Sequence, residues 1–294
     1  MTANRGLFYK FRRWGQVKAY QLTTPEFMSR LYFRIMLGYK MNLKNPRTFN
    51  EKMQWLKLYE WPDNPLAVQC ADKYAVRKYI EEHGCGKYLV DLVGVWEDVD
   101  DIDWGKLPEQ FAMKCTHGCG YNIICDSKKR LDIKKTIKCL KKWMKEDFGK
   151  YNVEPHYSKI KPRIICEKFL GGGADLADYK FYVFNGKVKF MYIAQGFGDG
   201  VNERMTFFDA EGRIAPFQRK DYAIYKEAKL PETFSKMKEE SERLAGNFPF
   251  VRVDWFEAEG KMYFGEMTFT PSGCMLKVEP REYDRIWGEM LQIK

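Results

Sequence analysis

An α+β fold, helical at the start and β-rich afterwards, is what the sequence predicts, and three observations predict it. About the first eighty residues carry apolar positions at helical spacing, with recognisable caps and stops. From residue 111 the texture changes to short β-rich runs separated by glycine loops. Two later stretches, Tyr179 to Ala194 and Phe250 to Phe269, read as β-hairpins. At 294 residues and 45% hydrophobic content the chain can bury a substantial core, as one large or two modest domains. The change in texture puts a boundary near residue 105 and a division into three parts. Residues 1–105 form a mainly helical region with a short β segment, 106–170 a first subdomain, and 171–294 a second one holding the last hairpin.

The elements follow in order. Leu7, Phe8, Phe11 and Trp14 sit at helical spacing, with Lys10, Arg12, Arg13 and Lys18 largely on the other sides. Packing onto the next helix is the favoured reading of that stripe, and peripheral contact with an anionic membrane is the alternative. Thr24 caps a second helix that runs through Met36, with Pro25 in its first turn. The stretch from Asn45 to Asn50 breaks the chain before helical spacing resumes from Glu51 to Tyr59. A further helix extends from Asp72 to a stop at Gly84. Tyr88 to Trp96 is β-rich, and an acidic loop, Glu97 to Asp103, follows it.

A helix over Ile133 to Phe148 has Ile133, Ile137, Leu140, Met144 and Phe148 on one stripe. Its lysines read as a solvated face rather than a nucleic-acid surface. Asn185-Gly186 supplies two positive-φ residues for a type I′ turn, which puts Asp178, Lys180 and Tyr182 on one face of their strand. Pro231 to Asn247 forms the last helix before the final hairpin, with Phe234, Met237, Ser241 and Leu244 at core spacing.

Composition removes several classes. No run of about twenty apolar residues exists to cross a bilayer, and the N-terminus lacks the apolar core of a secretory signal, so a cytoplasmic protein is expected, at most peripheral at the inner face of the plasma membrane. The eight cysteines lack paired C-x-x-C spacing, which favours reduced, buried thiols. Cys115-Thr-His117-Gly-Cys119 with Cys125 matches no familiar zinc arrangement. A formal net charge of +10 favours polyanionic partners: nucleotide phosphates, uronic-acid polymers, anionic lipid or nucleic acid.

The chemistry concentrates in the final hairpin. With Ala258-Glu259-Gly260 as a three-residue loop, Glu257 faces Lys261 and Arg252 lies opposite Glu266. Phe250, Asp254, Phe264 and Thr268 then share that face, and Val251, Val253, Trp255, Tyr263 and Met267 line the other. Two carboxylates, a guanidinium and a hydroxyl are costly to bury without partners, and a divalent cation is the economical one. The plainer alternative is an Arg252–Glu266 ion pair beside an unrelated, exposed Asp254.

Two earlier segments bear on that choice. Phe111 to Ile124 is a strand ending at Lys114, a glycine turn through Gly118 and Gly120, and a second strand. Such a turn can bring backbone N–H groups to a phosphate, but it is neither a Walker A loop nor a dinucleotide fingerprint nor a kinase pattern. Arg163 to Leu170 is a buried strand that ends in Glu167-Lys168, an aromatic, and a glycine run.

The order of these parts resembles the ATP-grasp superfamily. Ala-Asp72-Lys73-Tyr-Ala-Val-Arg, Lys114-Cys-Thr-His-Gly, Asp178-Tyr-Lys180-Phe-Tyr-Val-Phe-Asn-Gly-Lys, and Val-Arg252-Val-Asp254-Trp-Phe with Gly-Glu266-Met-Thr-Phe-Thr-Pro look like its TupA-like branch, named for teichuronopeptide biosynthesis. The resemblance runs from about residue 25 to the end and implies ATP and Mg²⁺ held between two α+β subdomains, residues 106–170 acting as the lid. It further implies a carboxylate–amine ligation on uronic acids of a surface or capsular polysaccharide or its precursor, with an amino acid or amine as the second substrate and no nucleic acid.

By the same resemblance Lys114 and Lys180 bind phosphate and the Gly118–Gly120 loop, with His117, covers it. Glu167, Lys168, Phe169 and Leu170 frame the adenine, and Asp178 lies near the ribose or the acceptor. Asp254, Glu266 and Thr268 bind metal, Thr268 replacing the asparagine found in many ATP-grasp enzymes, and Arg252 stabilises the transferred phosphoryl group. Three other functions compete. One is a glycosyltransferase using Asp98-Val-Asp100 or Asp101-Ile-Asp103 for a sugar nucleotide's metal; the second is an ATP-dependent sugar kinase; the third is a basic binding module whose aromatic N-terminus contacts membrane or nucleic acid.

Overall fold

A computed structural model describes residues 7–171, 176–196 and 203–293, with the backbone alone for 7–10. The side chains of Leu7, Phe8 and Lys10, and most of the glycine run after Leu170, lie outside the described residues. Helix α1 (Leu7–Leu22) turns through two threonines into α2 (Pro25–Leu37). Thr24 caps α2 by accepting the Phe27 N–H at 3.1 Å. α3 (Phe49–Trp55) begins in a capping box between Thr48 and Glu51. From Leu56 to Glu60 the expected helix continues as a π-helix. α4 (Pro65–Ala71) and α5 (Val76–Glu82) complete the helical region.

Strands β1 (Leu92–Trp96), β2 (Phe111–Cys115) and β3 (Asn122–Cys125) come next, then α6 (Ile133–Met144) and β4 (Ile164–Lys168). These four strands form one antiparallel sheet in the order β1-β4-β2-β3. The boundary expected near residue 105 therefore falls within this sheet's span of chain, with β1 before it and the other three strands after it. α6 stops at Met144, four residues short of the expected Phe148, which starts a separate 3₁₀ turn.

The second sheet is built from β5 (Asp178–Phe184), β6 (Lys187–Gln195), β7 (Arg204–Asp209), β8 (Ala223–Ile224), β9 (Phe250–Ala258) and β10 (Lys261–Thr268). Its order is β10-β9-β5-β6-β7-β8, with α7 (Phe234–Ala245) against β5, β6 and β9, and α8 (Glu282–Met290) against α3. Asn185 and Gly186 turn the β5–β6 hairpin with positive φ at both positions, as their sequence requires. One continuous core joins both sheets. It includes an aromatic stack in which Trp287 lies 4.4 Å from Phe190 and 4.7 Å from Phe217.

The final hairpin corrects the expected register. Its loop is two residues, Glu259 and Gly260 at φ 53° and 70°, so Ala258 pairs with Lys261, and Glu257 with Met262 rather than Lys261. That slip alone would send Glu266 to the core face. A β-bulge between Phe264 and Glu266 cancels it, so that Asp254 pairs directly with Glu266, and Arg252 with Thr268. The bulge needs glycine: a Cβ on Gly265 would stand 2.9 Å from the Asp254 carbonyl oxygen. The tip keeps the slipped phase. Phe264 therefore pairs with Trp255 on the core face and Tyr263 with Phe256 on the polar one, the reverse of the sequence expectation for both.

Candidate functional site

Strand pairing assembles the site on the second sheet. Lys180 pairs with Asp254 and Tyr182 with Arg252, so the polar positions of β5, β9 and β10 form one continuous face. Asp254 is 1% exposed and accepts from Arg252 Nε at 2.7 Å, Arg252 Nη2 at 2.6 Å and Lys180 Nζ at 2.6 Å. The exposed, unrelated Asp254 of the plainer alternative is thereby excluded. Arg252 also reaches Glu266 at 3.1 Å and Thr268 Oγ1 at 3.0 Å, and Thr268 donates to Glu266 Oε1 at 2.9 Å. Lys180 lies 3.1 Å from Asp178 Oδ2, while Asp178 Oδ1 is buried without a hydrogen-bond partner.

The four-stranded sheet adds the opposite side. Lys114 at the end of β2 binds Glu167 on β4 at 2.6 Å, with Arg77 3.7 Å from the same carboxylate. Lys114 also lies within the electrostatic reach of Glu266 and Asp178 on the other sheet. A residue given no role by sequence joins the two sides. Lys73 donates to the Gly118 carbonyl oxygen at 2.7 Å and stands 3.6 Å from Glu266. Its neighbour Asp72 accepts the N–H groups of Tyr74 and Ala75 and pairs with Arg163 at 3.3 Å, fixing the segment. The only sequence signal for Lys73 was its place in the Asp-Lys motif.

The charges perturb one another. Burial alone would raise the Glu266 carboxyl, but Lys73, Arg252 and Lys180 outweigh it and hold it well below the usual range. Burial also opposes the charge on Lys180, yet Asp178 and Asp254 prevail and lift its pKa. Asp178 goes the other way: burial raises its pKa, and Lys180 offsets only part of that. Four carboxylates (Glu167, Asp178, Asp254, Glu266) thus face five ammonium or guanidinium groups (Lys73, Arg77, Lys114, Lys180, Arg252).

Two expected residues stand differently. His117 does not cover the loop from outside; it is 2% exposed, its Nε2 meets the Trp143 carbonyl oxygen at 3.0 Å, and burial lowers its pKa. The imidazole packs beside Tyr121, filling space under the loop. The Lys168 backbone N–H is already bonded to the Asp91 carbonyl oxygen at 2.9 Å and so is not offered to an adenine edge, while its side chain is exposed. Phe169 and Leu170 follow the strand end, half-buried. Gly118 is pressed against Phe148 and Tyr121, and Gly120, at φ +75°, has open space beside it.

The acidic loop offered for a glycosyltransferase metal uses its carboxylates locally. Asp98 accepts the Asp100 N–H, Asp100 binds Lys141, and Asp103 accepts the Gly105 N–H.

The donor set on β9 and β10 suits a divalent cation. Asp254 and Glu266 are directly opposed hard oxygen donors, the Thr268 hydroxyl is beside them, and the orphaned Asp178 Oδ1 is near. Among the described residues no three His, Cys, Asp or Glu side chains form a complete metal site. A cation here would need oxygens from a bound nucleotide to fill its shell.

A family model described as TupA-like ATPgrasp matches residues 51–292. The chain belongs to the TupA-like ATP-grasp family. Solved structures similar to the chain are of low identity. D-alanine–D-alanine ligase from Bacillus anthracis, complexed with ATP, is 13% identical, with 69% of this chain and 57% of that one covered and a TM-score of 0.43. The D-alanine–D-alanine ligase of Helicobacter pylori is 15% identical, covering 78% and 61%, with a TM-score of 0.43. Phosphoribosylamine–glycine ligase of Thermotoga maritima is 12% identical, covering 78% and 55%, at 0.43. The chain spans less than two thirds of the length of each of these ligases. No curated protein matches it. This TupA-like ATP-grasp chain thus carries a cluster of paired charges between its two sheets, and Lys73 ties the glycine loop of one to a carboxylate of the other.

Proposed function

We propose that the protein is an ATP-dependent carboxylate–amine ligase that joins an amino acid or amine to uronic acids of a surface or capsular polysaccharide or its precursor. The observation that carries this reading is the buried cluster in which Lys114, Lys180 and Arg252 pair with Glu167, Asp254 and Glu266. A triphosphate entering it would take over the cations and leave the carboxylates to Mg²⁺, so charges exchange partners and none is left unpaired. A catalytic triad is not required. Family membership and the net charge of +10 support an acidic glycan as the other substrate.

In this reading Lys114 and Lys180 hold the phosphates, and Arg252 sits where charge grows on the transferred phosphoryl group. Asp254, Glu266 and the Thr268 hydroxyl would hold Mg²⁺, which when bound withdraws charge from the phosphate oxygens. A substrate carboxylate attacks the γ-phosphorus and ADP leaves; the amine then attacks the acyl carbon and phosphate leaves. We assign Asp178, with its unpartnered Oδ1 and raised pKa, to accept the amine's proton. Phe169 and Leu170 would border the adenine.

The test is incubation with ATP, Mg²⁺, a glucuronate or galacturonate glycan and mixed amino acids. Release of ADP and phosphate with an amide mass increment on the glycan is expected. Consumption of a UDP-sugar without ATP would overturn the reading in favour of glycosyl transfer, and a phosphorylated glycan in favour of a kinase.

A further inference from the structure

Of the fifteen large hydrophobic side chains exposed among the described residues, seven fall between residues 11 and 36. They are not scattered. On α2, Phe27 (55% exposed), Leu31 (43%) and Ile35 (68%) repeat every fourth residue along the side opposite the buried Ser29 and Phe33. On α1, Phe11 and Trp14 are 68% and 59% exposed, their rings stacked at 5.8 Å. The expected packing of these two aromatics onto the next helix therefore does not occur. α1 and α2 meet through other residues.

Charge separates the occupants such a face would accept. Between residues 11 and 44 seven Lys or Arg stand against a single acid, Glu26, whose charge is already bonded to Arg30 and Tyr59. Arg12, Lys18 and Arg34 are exposed beside the apolar stripes. Protein interfaces are depleted in lysine and match charge with charge, whereas apolar and aromatic side chains beside exposed cations in such excess suit an anionic bilayer. A nucleic acid would leave Phe27, Leu31 and Ile35 without use. Neither helix is long and apolar enough to cross a membrane.

We propose that the α1–α2 hairpin lies on the surface of an anionic lipid bilayer, its apolar side chains in the headgroup boundary and its basic ones against lipid phosphates and carboxylates. This docking does not depend on the ligase reading. It would hold the enzyme where membrane-linked substrates are exposed to it.

The experiment is sedimentation of the full chain with vesicles of phosphatidylserine and phosphatidylcholine, compared with phosphatidylcholine alone. Binding is expected to the anionic vesicles only, and to be largely lost by about 0.5 M salt, where the screening length falls to a few ångströms. The exposed triple variant Phe27→Ser/Leu31→Ser/Ile35→Ser should lose binding at least about tenfold while keeping its circular dichroism spectrum and its ATP affinity. Arg34→Gln should lose about fivefold, the share of one basic residue near an anionic surface. No binding to anionic vesicles at low salt, or a triple variant that binds as well as wild type, overturns the proposal. So does concentration-dependent self-association in ultracentrifugation that the triple variant abolishes while vesicles are ignored, since the face is then a protein interface.

Discussion

Asp254→Asn tests the charge-matched site most directly. The carboxylate is 1% exposed and takes three charge-assisted hydrogen bonds, two from Arg252 and one from Lys180. Asparagine keeps the shape but has one acceptor oxygen, so its NH₂ group must face a cation. Removing one partner of a buried ion pair costs about 3–5 kcal/mol. Here Asp178 stays 3.1 Å from Lys180 and Glu266 stays 3.1 Å from Arg252, which favours the lower end, about 3 kcal/mol. With an unfolding entropy of about 2.1 cal/mol/K per residue over the 294 residues, that is a fall of about 5 °C in melting temperature.

The variant also has a signature that a merely structural aspartate would lack. Its excess positive charge should be met by a polyanion, so ATP in the presence of a chelator should restore more stability to Asp254→Asn than to wild type. Turnover with Mg²⁺ should fall by at least about a hundredfold. Differential scanning fluorimetry with and without ATP, and coupled ADP release, give both readings. An unchanged melting temperature together with turnover within about twofold of wild type would refute the reasoning.

Three further outcomes are expected. Lys73→Met should weaken ATP binding about tenfold and speed hydrogen exchange through residues 116–121, because the Gly118 carbonyl loses its partner and Glu266 a counter-charge; unchanged exchange in that loop would contradict the link. Gly265→Ala should cost about 1–3 kcal/mol in urea titrations and suppress activity, since the new Cβ meets the Asp254 carbonyl oxygen and the bulge that aims Glu266 must shift. His156 is fully buried, both its ring nitrogens lack partners, and burial pushes its pKa down to about 3. Its neutral form therefore stabilises the fold fully above the unfolded value near 6.5, a contribution lost by up to about 1.4 kcal/mol per unit as pH falls from there toward 3. His156→Leu should flatten stability across that window, and an unchanged pH profile would count against it.

Much of the site was legible because strand alternation is local. Asp178 with Lys180, and Arg252 with Asp254, are two residues apart in strands that pair there without a bulge, so each pair shares a face. Asn185-Gly186 dictates its own turn, and Thr24 its own cap. The pairing of Asp254 with Glu266 was not determined in this way. A three-residue loop and a two-residue loop with a later bulge give the same phase near Glu266 and opposite phases at Tyr263 and Phe264, and packing of Phe264 against Trp255 selects between them.

Other features depend wholly on elements distant in sequence. Lys73 and Glu266 are nearly two hundred residues apart and meet only because the two sheets face each other. His117 turns inward because Tyr121 and the Trp143 carbonyl offer it a site under the loop, a choice that its sequence neighbours do not encode. Phe11 and Trp14 have a periodicity that suits a packed helix and a docked one equally. Sequence by itself determined which residues share a helix face or an unbulged strand face, since backbone geometry sets that within a few residues. Tertiary structure decided what each face meets, because burial is a property of the surface that arrives opposite it.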